Sequence, residues 1–357
     1  MNTEVLKLDG SDDDVVKIRY AARLLQAGAL VAFPTETVYG LGADARNPEA
    51  ITRLKQVKGR DESKPFALLL PGPRHAEELV GTLPRTARKF MRLYWPGPLT
   101  IVLPQHSGGS VGMRISEHPV PRSLLTQCGF PLATPSANRS GSPREPVNAQ
   151  MVHDELKDDI SLILDGGTTW RGKPSTVVRV ENAGAPKILR EGVVPAVEIC
   201  EAARPTVLFV CTGNTCRSPM AAGLFHQALK NVLPREQADL PFRVLSAGTS
   251  VTEDQPADPQ AVEAMREVQI DVAAHLTRSL GPNLVDTADW IFTMTWAQRE
   301  SILRVMPACR DRVWLVSSRG EDIPDPLHHS IERYRQVRDQ LAQGMRDVVK
   351  VITGALS

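Results

Sequence analysis

Residues 207–220 read VLFVCTGNTCRSPM: a short apolar run ends on Cys211, and Arg217 and Ser218 follow after a five-residue loop. A run this short, closed by a glycine-containing turn, reads as a buried strand. Pro219 sits where a helix opens, a position at which its missing amide hydrogen leaves nothing unpaired. Strand, tight loop and helix in that order imply an α/β layer, here a doubly wound parallel sheet.

The chemistry accounts for the spacing. A loop folded back at a helix N-terminus points several backbone amides into one cup, which suits a tetrahedral dianion. Arg217 adds a planar, bidentate grip on two phosphoryl oxygens. The same positive field favours a thiolate, and such surroundings can lower a cysteine pKa from ~8.5 to roughly 3.5–7.5. Cys211 is therefore the expected nucleophile toward phosphorus. Gly213 permits the tight turn, Asn214 can pin the loop through its side chain, and Ser218 can donate to the departing thiolate. Thr212, Thr215 and Cys216 complete the loop. The leaving group needs an acid, and Asp325 in IPDPL, stiffened by Pro326, is the candidate. His328 and His329 nearby read as solvated loop residues.

A chain of 357 residues is too long for one core, since cores seldom grow past ~250–300 residues. The stretch REGVVPAVEICEAARP, 190–205, has prolines and no sustained period. A domain is expected over 1–195, a linker over 196–205 and a second domain over 206–357. In the first domain Val15, Ile18, Ala22 and Leu25 recur at helical spacing after Ser11 and three aspartates, with Gly28 placed to end the helix. Apolar runs at 29–33, 66–70, 99–103, 132–133, 162–164 and 177–180 suggest a twisted mixed sheet carrying helices. In the second domain Ile331, Tyr334, Val337, Leu341, Met345, Val348 and Ile352 make the apolar stripe of a long last helix.

Lys plus Arg number 42 against 41 Asp plus Glu, so net charge alone makes no case for nucleic acid or membrane. A local basic groove for direct RNA contact stays open. No stretch approaches the ~20 apolar residues of a membrane span, and five cysteines without framework spacing read as free thiols. A cytoplasmic location is expected.

In the first half, FPTETVYGLG at 33–42 runs from a strand end into hydroxyls and glycines. KGRDESKP at 58–65, Arg114, Arg144 and Arg190 supply cations, and PSANRSG at 135–141 and GKPSTV at 172–177 supply hydroxyls. Alone these define an anionic-ligand site, and no P-loop signature is present. No resident metal site is expected.

The second half resembles the low-molecular-weight protein tyrosine phosphatases over 206–352, including SAGT at 246–249, the Ile270-Asp271…His275 segment and IFTMT at 291–295. The loop CTGNTCRS and the segment DPLHHSIERY are similar to those of bacterial protein arginine phosphatases, with Leu327 where an aromatic residue is usual. The resemblance implies a phosphorylated protein substrate and no cofactor. It leaves phosphoarginine and phosphotyrosine open, leaning to arginine. It also implies that Cys216 can trap an oxidised Cys211 as a disulfide, against a plain packing role.

The strings PTETVYGLG, KGR, WPGPLT, VGMR, ATPSANRSG, DGG, PSTV and ILREG resemble, in this order, the Sua5/YrdC threonylcarbamoyl-adenylate synthases over 12 to about 192. That resemblance implies an open twisted mixed α/β sheet with a concave basic cleft. Threonine, bicarbonate and ATP with Mg2+ would give threonylcarbamoyl-AMP and pyrophosphate, and a separate transferase would pass the group to tRNA. By the same resemblance Thr37, Arg114, Thr134 and Ser175 would surround threonine. Arg60, Lys64, Ser110, Ser136, Arg144 and Arg190, with Lys58 nearby, would hold ATP. Lys64 replaces a common asparagine and Leu69 a common histidine, so the threonine pocket is expected to differ. A bifunctional fusion is the expectation; a non-catalytic RNA-binding or nucleotide-sensing first half that regulates the phosphatase is the alternative.

Overall fold

The computed structural model describes residues 3–59, 65–105, 108–182, 184–232, 242–252 and 254–354. It contains two compact units, Met1–Ala203 and Arg204–Ser357.

The first unit runs β1 (Glu4–Lys7), α1 (Asp13–Gln26), β2 (Val31–Phe33), β3 (Gly40–Asp44), α2 (Pro48–Lys58), β4 (Leu68–Leu69), α3 (Arg74–Val80), α4 (Arg85–Tyr94), β5 (Leu99–Pro104), β6 (Ser110–Arg114), α5 (Pro119–Cys128), β7 (Leu132–Ala133), α6 (Ala149–Leu156), β8 (Leu162–Asp165), β9 (Thr176–Arg179), β10 (Lys187–Arg190) and α7 (Ala196–Ala203). The strands make one ten-stranded sheet, ordered β1-β8-β2-β3-β7-β4-β6-β5-β9-β10, with parallel and antiparallel pairs.

Each expected apolar run carries a strand. The α1 stripe differs at one position: Val15, in the first turn, is exposed, and Ala21 joins Ile18, Ala22 and Leu25 inside. Helix α2 starts where the Asn47 side chain accepts the amides of Glu49 and Ala50, and stops at Gly59 in the left-handed region. Those two ends place Lys58 in the last turn. Strand β3 lies wholly buried mid-sheet because its glycines let neighbours close in. A Cβ on Gly42 would stand 2.6 Å from the Phe33 ring, and one on Gly40 2.6 Å from the Thr134 methyl.

The stretch expected to be a linker is helical over Ala196–Ala203. Ile199 is fully buried in a cluster with Ala87 and Phe90 of α4, and Glu198 bonds the Tyr94 hydroxyl. One buried isoleucine and one acid–phenol contact tie α7 into the first unit without any long apolar period.

The second unit runs β11 (Thr206–Cys211), α8 (Arg217–Val232), β12 (Arg243–Gly248), α9 (Pro259–Arg266), α10 (Pro282–Thr287), β13 (Trp290–Thr293), α11 (Trp296–Val305), a 3-10 turn (Pro307–Arg312), β14 (Val313–Leu315) and α12 (Ile331–Gly354). Its sheet is β12-β11-β13-β14, parallel throughout. Every residue of β11 is buried, as a strand covered on both faces requires. Val207 and Phe209 meet the residues of α8, α9 and α12, whereas Leu208 and Val210 meet those of α10 and α11. This is the doubly wound arrangement, with Cys211 at the carboxyl end of the central strand. The expected α12 stripe is buried from Tyr334 to Ile352, and Ile331 is half-buried.

Candidate active sites

In the second unit, β11 delivers Cys211 to the loop, and α8 opens on Arg217. Cys211 is buried, and its Sγ receives the Asn214 amide at 3.2 Å with Ser218 Oγ at 3.0 Å. Asn214 is the hinge of the cup. Its φ of 60° lies in the left-handed region, which asparagine tolerates better than most residues. Its side chain donates to Ser218 Oγ (2.8 Å) and Ser246 Oγ (3.0 Å) and accepts the Arg278 amide (2.8 Å). His275 Nε2 donates to the Asn214 carbonyl at 2.7 Å, and burial pulls the His275 pKa below its ordinary value.

Gly248, in the SAGT stretch, is required by proximity: a Cβ there would stand 2.4 Å from the Thr212 carbonyl oxygen. Through that gap the Thr249 amide reaches Cys211 O (3.0 Å) and the Ser250 amide reaches Thr212 O (3.0 Å). Arg217 is buried and bridges to the acid loop. Its guanidinium donates to the Ile323 carbonyl (3.2 Å) and to the Asp325 carboxylate, which stays half exposed. The loop that starts at Cys211 thus ends on Arg217, which is paired with Asp325, while His328 and His329 are exposed.

Cys216 faces inward, 3.6 Å from the Tyr334 hydroxyl, and burial pushes its pKa up to about 11. Its side chain packs in the core cluster that includes Tyr334 of α12. Thr215 contacts that sulfur at 3.4 Å, and Thr212 Oγ1 accepts from Gln298 Nε2 at 3.1 Å.

The first unit carries a cleft of about 580 Å³ lined from both halves of its sheet. Thr37, Arg114, Thr134, Ser175, Lys58, Ser110, Ser136 and Arg190 all line it, as does Leu69. Arg144 is exposed outside that lining, beside the lining residue Glu145, and Arg60 and Lys64 lie outside the described residues. Several of these side chains hold the walls. The Lys58 ammonium donates to the carbonyls of Ser136 (2.8 Å) and Asn138 and to the Asn138 side chain (3.1 Å). Arg190 donates to the Ser175 carbonyl (2.8 Å), and Ser175 Oγ lies 2.9 Å from Thr100 Oγ1.

Arg114 is the buried cation of the floor. It donates to Thr37 Oγ1 at 2.9 Å, and Thr37 is braced by Thr35 at 2.8 Å. Behind it lies Glu36, fully buried, with Oε1 3.7 Å from Arg114 and Oε2 accepting from Ser116. Burial lowers the Arg114 pKa, and Glu36 opposes that shift. Sequence reasoning missed Glu36; the available signal was an acid inside the hydroxyl-rich PTET string. Among the described residues Glu36 Oε1 has no hydrogen-bond partner, so its compensation is electrostatic.

Two family models match the chain. The Sua5–YciO–YrdC family, described as "Telomere recombination", matches residues 23–192, and "Low molecular weight phosphotyrosine protein phosphatase" matches 206–355. The chain is 38% identical to the threonylcarbamoyl-AMP synthase of Bacillus subtilis over 193 residues, 51% of this chain and 55% of that protein. It therefore spans about half the length of that relative. It is 37% identical to a putative threonylcarbamoyl-AMP synthase of Mycobacterium tuberculosis over 190 residues, 51% of this chain and 86% of that protein. Among solved structures, Pyrococcus abyssi Sua5 complexed with L-threonine shares its fold at a TM-score of 0.52 and 23% identity, covering 97% of this chain and 98% of that one. The YwlE arginine phosphatase of Geobacillus stearothermophilus is 32% identical over 42% of this chain and 94% of its own, with a TM-score of 0.37.

Proposed function

The chain belongs to the Sua5–YciO–YrdC family through residues 23–192 and carries a low-molecular-weight phosphatase domain over 206–355, and on that footing we propose two activities in one polypeptide. The first unit condenses threonine, bicarbonate and ATP into threonylcarbamoyl-AMP and pyrophosphate, for transfer to tRNA by a separate enzyme. The second removes phosphate from a protein side chain.

Arg114 carries the first reading. A buried guanidinium braced by Thr37 and Glu36 at the floor of an open cleft suits a small carboxylate. Threonine's carboxylate would dock there, with Thr134 and Ser175 supplying hydroxyls. Its amine, converted to a carbamate, would place an oxygen to attack the α-phosphorus of ATP and expel pyrophosphate. Arg190, Ser110 and Ser136 line the side where the phosphates would lie, and Lys58 stiffens the 136–138 turn beneath them. Positioning supplies most of the rate, because no covalent protein intermediate is needed. Magnesium would arrive on the ATP phosphates as part of the substrate. Among the described residues no three His, Cys, Asp or Glu side chains gather to hold an ion of their own. The test is pyrophosphate release with threonine added or omitted.

The Arg217–Asp325 pair at the end of the loop that starts on Cys211 carries the second. Cys211 would attack phosphorus while Arg217 grips two equatorial oxygens and Asp325 protonates the leaving atom. Asp325 would then deprotonate the water that hydrolyses the cysteinyl-phosphate, and Ser218, 3.0 Å from the sulfur, would donate to the departing thiolate. The loop string CTGNTCRS favours phosphoarginine over phosphotyrosine. Phosphate release from a phosphoarginine peptide, set against a phosphotyrosine peptide of the same sequence, decides between them.

A further inference from the structure

Residues 316–330, which carry Asp325, contain no helix or strand, so the position of that carboxylate is set by individual ties. Several converge on the first turn of α11. Thr295 caps that helix by accepting the Gln298 amide (3.2 Å), and Gln298 Oε1 answers by accepting the amides of Met294 (3.0 Å) and Thr295 (3.2 Å). With its oxygen so fixed, the Gln298 Nε2 donates to Thr212 Oγ1 of the phosphate loop at 3.1 Å.

The same turn grips the acid loop. The Trp296 amide, one of the helix's orphan donors, bonds the Asp322 carboxylate at 2.8 Å, a placement the helix dipole favours. The Trp296 indole N–H donates to the Gly320 carbonyl at 2.9 Å, and the Ile323 amide donates to Met294 O at 2.8 Å. Trp296 is 49% exposed, so hydrophobic burial is a poor account of a tryptophan there.

We propose that the first turn of α11 keeps the acid loop in register with the phosphate loop, with Trp296, Gln298 and Asp322 as positioning residues for Asp325. This rests on the phosphatase reading above. A proton donor held two residues beyond Ile323 reaches the leaving atom only while Gly320, Asp322 and Ile323 stay in place. Loosening the grip harms proton delivery first and phosphate binding least.

The full chain with Trp296→Phe or Asp322→Ala tests this, both sites being exposed. The readout is kcat/KM for phenyl phosphate, a poor leaving group, against 4-nitrophenyl phosphate, which departs with little help. Each variant should lose roughly tenfold with phenyl phosphate and under about threefold with 4-nitrophenyl phosphate, with inhibition by inorganic phosphate unchanged. Equal losses on both substrates, or none in either variant, overturn the proposal. Asp325→Asn in parallel separates the two levels. A uniform loss there removes the acid role from Asp325 and the underlying reading with it. A selective loss there, absent from Trp296→Phe and Asp322→Ala, sinks the positioning role alone.

Discussion

The two candidate sites solve the problem of holding an anion in opposite ways. In the second unit Cys211 to Ser218 form one contiguous loop, and four side chains, from Asn214, Ser246, His275 and Ser218, lock it through short bonds. In the first unit the cleft draws on β3, β6, β9, β10 and the turns between them, and its cations Lys58 and Arg190 brace the walls. A contiguous cup concentrates its function in a few residues. A dispersed cleft spreads it, so single substitutions there should act by degree.

Cys211→Ser is the sharpest break. It should abolish phosphatase activity by about 10⁴-fold or more, because the nucleophile itself is lost, while leaving pyrophosphate release intact. Loss of both would overturn the view that the units act independently. Arg114→Lys should come next. A point-like ammonium cannot reproduce the fork that meets Thr37 and a carboxylate, so KM for threonine should rise about 100-fold with KM for ATP little changed. Equal rises in both would place Arg114 outside the threonine site.

Glu36→Gln probes the support behind that floor. It keeps the shape and the acceptor for Ser116 but removes the charge facing Arg114. The first unit should lose about 3 kcal/mol of stability, the cost of leaving a buried charge without its partner, seen as a lower urea midpoint. An unchanged midpoint would mean that the Arg114–Glu36 contact contributes nothing net.

The mildest effect is pH dependence. Burial lowers the pKa of His118 in the first unit and of His226 and His275 in the second. Below about pH 6.5 the unfolded chain then binds more protons than the native one, so stability is complete above that value and falls as pH drops. Each histidine can contribute a slope of up to about 1.4 kcal/mol per pH unit. Urea unfolding at pH 7.5 and 5.5 should show the steeper fall in the second unit, and His275→Gln should flatten it.

What could be read from residues alone follows the same division. The phosphate loop was legible because strand, cup, arginine and helix start are consecutive, and Asp325 was marked by its prolines. Its locking partners were harder to find: Gln298 lies 86 residues beyond the Thr212 it bonds, and Trp296 stands two positions before it. In the first unit β3 carries glycines that break an apolar run, although Gly40 and Gly42 are what permit the close packing there. Helix α7 was hidden for a related reason, its single buried isoleucine giving no period. Glu36 looked like one more polar turn residue, and only its burial beside Arg114 marks it as part of the site. Arg190 and Lys58 were legible as cations, but not as struts of the cleft wall.

The most direct test of the two-activity account is pyrophosphate release from ATP by the full chain, with bicarbonate present and threonine either added or omitted. The account predicts release only with threonine, lost in Arg114→Ala and retained in Cys211→Ser. No release from a folded chain whose phosphatase is active, or release indifferent to threonine, would contradict it.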